Sequence, residues 1–190
     1  MRKTRPKKAV FLDRDGTINV DSGYVFRIED LEFEQNAILG LRTLQKAGYA
    51  LFIVSNQSGI ARGLYTEAEY HTFTAHLLEE LECSGVRVEQ SYYCPFHPDG
   101  TVPEYRLDSP LRKPAPGMLE QAAREFSIDK HRSFMVGDKQ TDIEAGHRFG
   151  IRSVLVTTGK SDRDSDTPHK ADLVASDLLE AARLIIDNEI

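Results

Sequence analysis

The sequence predicts an α/β fold, with a central, mostly parallel sheet covered by helices on both faces. Two observations carry this reading. Short continuous apolar runs of strand length alternate with longer stretches whose apolar residues recur at helical spacing. That alternation builds crossover units and buries the sheet on both sides. With 190 residues, 40% of them hydrophobic, the chain can bury one sizeable core, so residues 1–190 read as a single domain with a basic tail over 1–8.

Taken in order, Ala9 to Asp13 is an uninterrupted apolar run that closes on a carboxylate, a buried strand. Asn36 to Ala47 is helical, and Gly48 stops it because glycine takes the left-handed conformation without steric cost. Tyr49 to Ser55 is a second continuous apolar strand. Thr66 caps a helix that runs to about Glu82, and Glu69, three residues on, completes a capping box. Val88 to Cys94 is a candidate strand, and Pro116 to Phe126 is a helix with proline in its first turn. Arg132 to Asp138 is a strand, Thr141 to Phe149 a helix closed by Gly150, and Arg152 to Thr158 a strand. Ala171 to Ala175 is a last short strand before a C-terminal helix from about Asp177. Two long irregular stretches remain. Residues 95–115 hold five of the eight prolines, and 159–170 are rich in Ser, Asp and Lys; loops this long inside a compact domain carry function or move.

Composition excludes several classes. A formal net charge of −6 argues against a general nucleic-acid binder. No apolar run approaches the roughly 20 residues a membrane-spanning helix needs, and the basic segment at 2–8 lacks the apolar stretch of a secretory signal. The two cysteines, Cys83 and Cys94, make no disulfide framework. The expectation is a monomer in a reducing, cytoplasmic setting. His71, His76, His131, His147 and His169 show no ligand spacing and read as surface or helix-face residues.

The polar residues fall where the strands end. Asp13 and Asp15 close the first strand, Ser55, Asn56 and Gln57 the second, and Asp138 and Lys139 a later one, while Lys113 precedes a helix. Strands of a parallel sheet all present their carboxyl ends on one edge, where open α/β sheets place ligands. Asp13, Asp15 and Asp138 there form an oxygen-rich cluster that calls for a hard cation, and Mg²⁺ suits such carboxylates together with a phosphate. Lys113 and the Ser55 hydroxyl supply a cation and a donor for the equatorial oxygens of a transferring phosphoryl group. An Asp can act as nucleophile, and a second acid two residues away can protonate the leaving oxygen.

Four segments resemble, in order, the four motifs of the haloacid dehalogenase-type (HAD) phosphatases. They are D-R-D-G-T (Asp13 to Thr17), Ser55, Lys113 and G-D-K-Q-T-D (Gly137 to Asp142). Longer stretches from Phe11, Val54, Tyr93, Arg112 and Met135 resemble the D-glycero-D-manno-heptose 1,7-bisphosphate 7-phosphatases, whose close relatives are the histidinol-phosphate phosphatases. The resemblance implies a Rossmann-like fold without a large cap and a small phosphorylated sugar as substrate. It implies Asp13 as nucleophile and Mg²⁺ ligand, Asp15 as acid/base with its carbonyl on the metal, and Asp138 as third ligand. Ser55 and Lys113 would bind the phosphoryl group. Arg14, Asp21, Ser22, Gly23, Tyr24, Asn56, Gln57, Ser58, Arg112 and Lys139 would contact substrate, and Asp142 would stand behind the metal or Lys113. Plainer readings stand beside these: Asp142 as a charge favoured by a helix N-terminus, and Asp21 to Tyr24 as an ordinary turn. A receiver-type phosphoacceptor would share Asp, Ser, Lys and Mg²⁺, but has no use for an acid at Asp15.

One departure stands out. The family usually carries a structural zinc in the proline-rich loop, and its four ligand positions here read Cys94, Phe96, Ser109 and Leu111. Three of the four are lost, even with His97 nearby, whereas structural zinc takes four ligands. The expectation is a zinc-free loop held by its prolines and by packing of Phe96 and Leu111.

Overall fold

The computed structural model describes residues 6–159 and 171–189. Most of the basic tail and of the 159–170 loop, with His169, therefore lies outside the described residues. Six strands form one sheet: β1 (Ala9–Leu12), β2 (Ala50–Asn56), β3 (Val88–Cys94), β4 (Phe134–Gly137), β5 (Arg152–Val156) and β6 (Leu173–Ala175). Their spatial order is β3-β2-β1-β4-β5-β6, and every neighbouring pair is parallel. The helices are α1 (Ala37–Lys46), α2 (Ser58–Ala61), α3 (Glu67–Cys83), α4 (Gly117–Glu125), α5 (Gln140–Phe149) and α6 (Leu178–Asp187).

The period of two along each strand decides which helices lie where. Val10, Leu12, Leu51, Ile53, Phe134 and Val136 face one side, where they meet Leu41 and Leu44 of α1, Phe73 and Leu77 of α3, and Ala181 and Ile185 of α6. Ala9, Phe11, Phe52, Val54 and Met135 face the other, against Met118 and Leu119 of α4 and Ala145 and Phe149 of α5. Phe11 stacks on Phe52 at 5.3 Å between ring centroids and meets Phe149 edge-on at 5.9 Å. Both sheet faces are covered, which is why the strands read as unbroken apolar runs.

Several boundaries shift by a residue or two, as helix and strand ends do. The first strand stops at Leu12, so Asp13 already lies in the turn beyond it. Pro116 is the N-cap of α4 rather than a residue of its first turn, and Lys130–Arg132 form a 3-10 turn that delays β4 to Phe134. The capping box of α3 forms as the spacing predicts, with Glu69 N–H on the Thr66 hydroxyl at 3.2 Å and Thr66 N–H on the Glu69 carboxylate at 2.7 Å. The four-residue α2 was not predicted, because so short a helix carries no period to read.

Among the described residues there is no large cap. Residues 13–36, between β1 and α1, hold only isolated bridges and the 3-10 turn Ile28–Asp30. From β1 the crossovers run one way to β2 and β3, and from β4 the other way to β5 and β6. The sheet's topological switch point therefore lies between β1 and β4, where open α/β sheets bind their ligands.

Candidate active site

Beyond Leu12 the chain turns at once. Asp13 N–H donates to Val136 O of β4 at 2.9 Å, Gly16 N–H to Asn19 O at 2.7 Å and Ile18 N–H to Arg14 O at 2.8 Å. Gly16 sits at φ +84°, a conformation that favours glycine. The turn sends Asp13 and Asp15 to different tasks. The Asp15 carboxylate is held by three donors: the Arg14 guanidinium, with Nη2 at 2.9 Å from both oxygens; Asn19 Nδ2 at 3.0 Å; and Gln57 Nε2 at 3.1 Å. Gln57 is fixed in turn by Tyr65, whose hydroxyl donates to its Oε1, and it donates to Ser55 Oγ at 2.6 Å.

Asp13 faces Lys113. The Lys113 ammonium is buried and lies 2.8 Å from Asp13 Oδ1, 2.6 Å from Asp142 Oδ1 and 2.7 Å from Val54 O. Asn56 fixes the lysine's backbone from both sides, donating to Lys113 O at 2.9 Å and accepting from Lys113 N–H at 3.0 Å. Burial disfavours the charged ammonium, but the two carboxylates outweigh it and raise its pKa. Burial likewise opposes ionisation of Asp13, yet Lys113 and Lys139 more than offset it and hold that carboxyl below its usual range.

Asp138, at the end of β4, is fully buried, and neither carboxylate oxygen has a hydrogen-bond partner among the described residues. Burial first, then the like charge of Asp13, pushes its pKa up to about 8. Asp142 rises to about 6, again by burial and then Asp13. One carboxylate oxygen from each of Asp13, Asp138 and Asp142 lies within 4.8 Å of the others. A buried carboxylate without a partner is costly unless something positive completes it. An all-oxygen donor set at this spacing fits a hard cation such as Mg²⁺. Lys113 engages both Asp13 and Asp142, so of the three only Asp138 lacks the lysine.

In front of these groups opens a cleft of about 250 Å³ lined by Asp15, Asp21, Gly23, Tyr24, Asn56, Gln57, Ser58, Tyr65 and Lys139. Lys139 bridges its two sides, 3.3 Å from Asp21 and 3.7 Å from Asp138. Asp21 also accepts from Gly23 N–H at 2.9 Å, so the 21–24 segment is a turn that lines the cleft as well. A wider groove of about 610 Å³, between Phe26–Glu29 and Leu64–Thr72, contains none of the strand-end acids.

Three residues expected at the substrate are not among those that line this cleft. Arg14 is 1% exposed, with its guanidinium 4.7 Å from the Phe73 ring and donating to Val25 O at 2.7 Å, so it holds Asp15 instead of lining the cleft. Arg112 borders a second cavity of about 490 Å³ that Lys113 also lines, with Pro98, Asp108 and Arg148. Ser22 is exposed and lies outside the cleft lining. Conversely, Tyr65 and Asn19 belong to the site without having been assigned to it: Asn19 lies within the stretch from Phe11, and Tyr65 falls two residues beyond the stretch from Val54.

In the proline-rich loop, Cys94 is buried, with Sγ 3.8 Å from Phe96 O, and His97 Nδ1 accepts from Asp99 N–H at 3.0 Å. Phe96 and Leu111 pack against the α4–α5 side of the core. The Tyr105 and Tyr93 hydroxyls both donate to the Glu67 carboxylate, at 2.8 and 2.7 Å. Among the described residues, the only group of His, Cys, Asp and Glu at metal spacing is the Asp13–Asp138–Asp142 cluster.

Comparison with known proteins agrees with this geometry. Residues 110–181 match the HAD-hydrolase-like family model. The chain is 42% identical over 179 residues to a D-glycero-alpha-D-manno-heptose-1,7-bisphosphate 7-phosphatase of Photorhabdus laumondii, covering 94% of this chain and 96% of that protein. It is 45% identical over 178 residues to the beta-named enzyme of the same organism, covering 93% and 94%. Among solved structures, the D,D-heptose 1,7-bisphosphate phosphatase of B. bronchiseptica, complexed with magnesium and phosphate, superimposes with a TM-score of 0.82 at 29% identity, over 95% of this chain and 98% of that one.

Proposed function

The chain belongs to the HAD phosphatases of the D-glycero-D-manno-heptose-1,7-bisphosphate 7-phosphatase family, and from that premise we propose that it removes the 7-phosphate of such a heptose bisphosphate with Mg²⁺ as cofactor. The observation that carries the reading is the separation of the two acids of one turn: Asp13 is paired with buried Lys113 beside the Asp138 carboxylate, which has no hydrogen bond among the described residues, and Asp15 is held apart by three donors.

The chain's groups divide the reaction as follows. An Asp13 carboxylate oxygen attacks phosphorus as the P–O bond to the sugar breaks, and Asp15 gives its proton to the departing alkoxide. The resulting aspartyl phosphate is attacked by water, which loses a proton to Asp15, and the acyl phosphate P–O bond breaks to restore the Asp13 carboxylate and release phosphate. Lys113 and the Ser55 hydroxyl, which accepts from Gln57 and keeps its own proton to donate, bind the equatorial oxygens. Asp13, Asp138 and the Asp15 carbonyl would hold Mg²⁺, which supplies positive charge beside the transferring group. Lys139, Asn56, Ser58 and the 21–24 turn shape the cleft for a polar sugar, and Arg112 borders the cavity on the other side of Lys113. The reading also includes a single-domain, zinc-free monomer in the cytoplasm; no helix among the described residues is long and apolar enough to cross a membrane.

The test is phosphate release from the alpha and beta heptose 1,7-bisphosphates, histidinol phosphate and hexose phosphates, with and without Mg²⁺. A heptose bisphosphate is expected to give the highest kcat/KM, and only with the metal. No Mg²⁺-dependent release from either heptose bisphosphate would refute the proposal.

A further inference from the structure

Asp138 has no hydrogen bond to orient it, yet a metal ligand must be aimed. What aims it is steric. A Cβ added at Gly159, in the turn after β5, would lie 2.2 Å from Asp138 Oδ2 and 2.7 Å from its Cγ; one added at Gly16 would lie 2.5 Å from the same oxygen. The carboxylate is thus gripped between two bare glycine backbones, with Gly159 Cα also 3.1 Å from a Cβ built on Gly16. Gly16 needs to be glycine for its positive φ as well, but Gly159 is not among the glycines with positive φ. Its lack of a side chain matters only because of what it touches. The two walls are tied together: the Thr158 hydroxyl donates to Gly16 O at 2.7 Å, joining the β5 turn to the turn that carries Asp13 and Asp15.

We propose that Thr158 and Gly159 are positioning residues of the metal centre: the Thr158 bond closes a slot between Gly16 and Gly159 that fixes the Asp138 carboxylate for the cation. No side chain of this pair touches substrate or metal; both act through Asp138. The inference rests on the reading of Asp138 as a Mg²⁺ ligand, and the two fail separately.

The experiment measures Mg²⁺ binding by calorimetry on the full chain, and thermal melting in EDTA, for the wild type, Gly159→Ala, Asp138→Ala and the double variant. Gly159→Ala is expected to weaken Mg²⁺ binding about 10- to 100-fold, the range usual for groups that support a metal ligand. It should also lower the melting temperature by about 3 °C or more in the wild-type background and by clearly less where Asp138 is alanine, because the contacts with Oδ2 and Cγ are then gone and only the 2.9 Å contact with the Cβ of residue 138 remains. Equal losses of melting temperature in both backgrounds, or unchanged Mg²⁺ affinity, would overturn the slot. A wild type that binds no Mg²⁺ would instead overturn the metal reading and the slot's purpose with it. If Gly159→Ala does not fold, Thr158→Val carries the test: it should weaken Mg²⁺ binding, and Thr158→Ser, which keeps the hydroxyl, should not. Wild-type affinity in Thr158→Val would contradict the proposal.

Discussion

At the scale of single residues, the site is a set of charges in unequal surroundings. Asp138 is the clearest. Its pKa rises from 3.8 to about 8, through burial first and Asp13 second. An acid whose folded pKa lies above its unfolded value holds a proton in the folded state that the unfolded chain has already released. Stability therefore falls as pH rises through the window from 3.8 to about 8. Metal-free protein should accordingly melt at progressively lower temperature across that window, and Asp138→Asn should flatten most of the slope, with Asp142 supplying the remainder near 6. An unchanged slope in Asp138→Asn would show that the buried charge lies elsewhere. Arg14 gives a second prediction. Its fork holds both Asp15 oxygens at 2.9 Å, a geometry lysine cannot copy. Arg14→Lys should lower kcat about 10- to 100-fold through misplacement of the acid while KM stays nearly constant; a change confined to KM would return Arg14 to substrate contact. The sequence could not show this role. The resemblance set Arg14 at the substrate, and only the packing of Tyr70 and Phe73, 56 and 59 positions away, reveals that it is buried.

At the scale of elements, the order of strands and helices was legible because each buried strand is a continuous apolar run and each long helix keeps its period. What escaped was short or depended on distant contacts: α2 has a single turn, and the cleft wall formed by Tyr65 comes from a loop return without a motif. The proline-rich loop lies between these cases. The loss of zinc ligands could be read from the sequence, but not what replaces them. Glu67, at the start of α3, accepts from Tyr93 on β3 and from Tyr105 in the loop, so one carboxylate joins three elements. Glu67→Gln keeps an acceptor but loses the charge-assisted bonds, and should reduce stability by about 1–2 kcal/mol and raise KM more than it lowers kcat. Zinc-selective chelation should change neither value, and metal analysis should find no zinc. One tightly bound zinc per chain would contradict this description of the loop.

At the scale of the whole molecule, topology makes the site. Crossovers that run in opposite directions from β1 and β4 open a crevice at the carboxyl ends of two adjacent strands, so Asp13 and Asp138, 125 positions apart in sequence, meet across it. Lys113 reaches the same point from the loop before α4, its backbone locked by Asn56 at the end of β2. Most of the acid cluster could be placed from the sequence because parallel strands share one edge, and the resemblance set Asp142 behind the metal or Lys113; that the Asp138 oxygens have no hydrogen bond among the described residues could not, since it depends on distances of a few ångströms. The central claim is that Asp13 is the nucleophile and Asp15 the proton carrier. Rapid acid quench during turnover of heptose 1,7-bisphosphate, followed by mass spectrometry, tests it most directly. The wild type should carry a phosphoryl group on Asp13, Asp13→Asn should carry none and be inactive, and Asp15→Asn should turn over about 10²- to 10⁴-fold more slowly. Phosphate release with no adduct on Asp13, together with an active Asp13→Asn variant, would contradict the account.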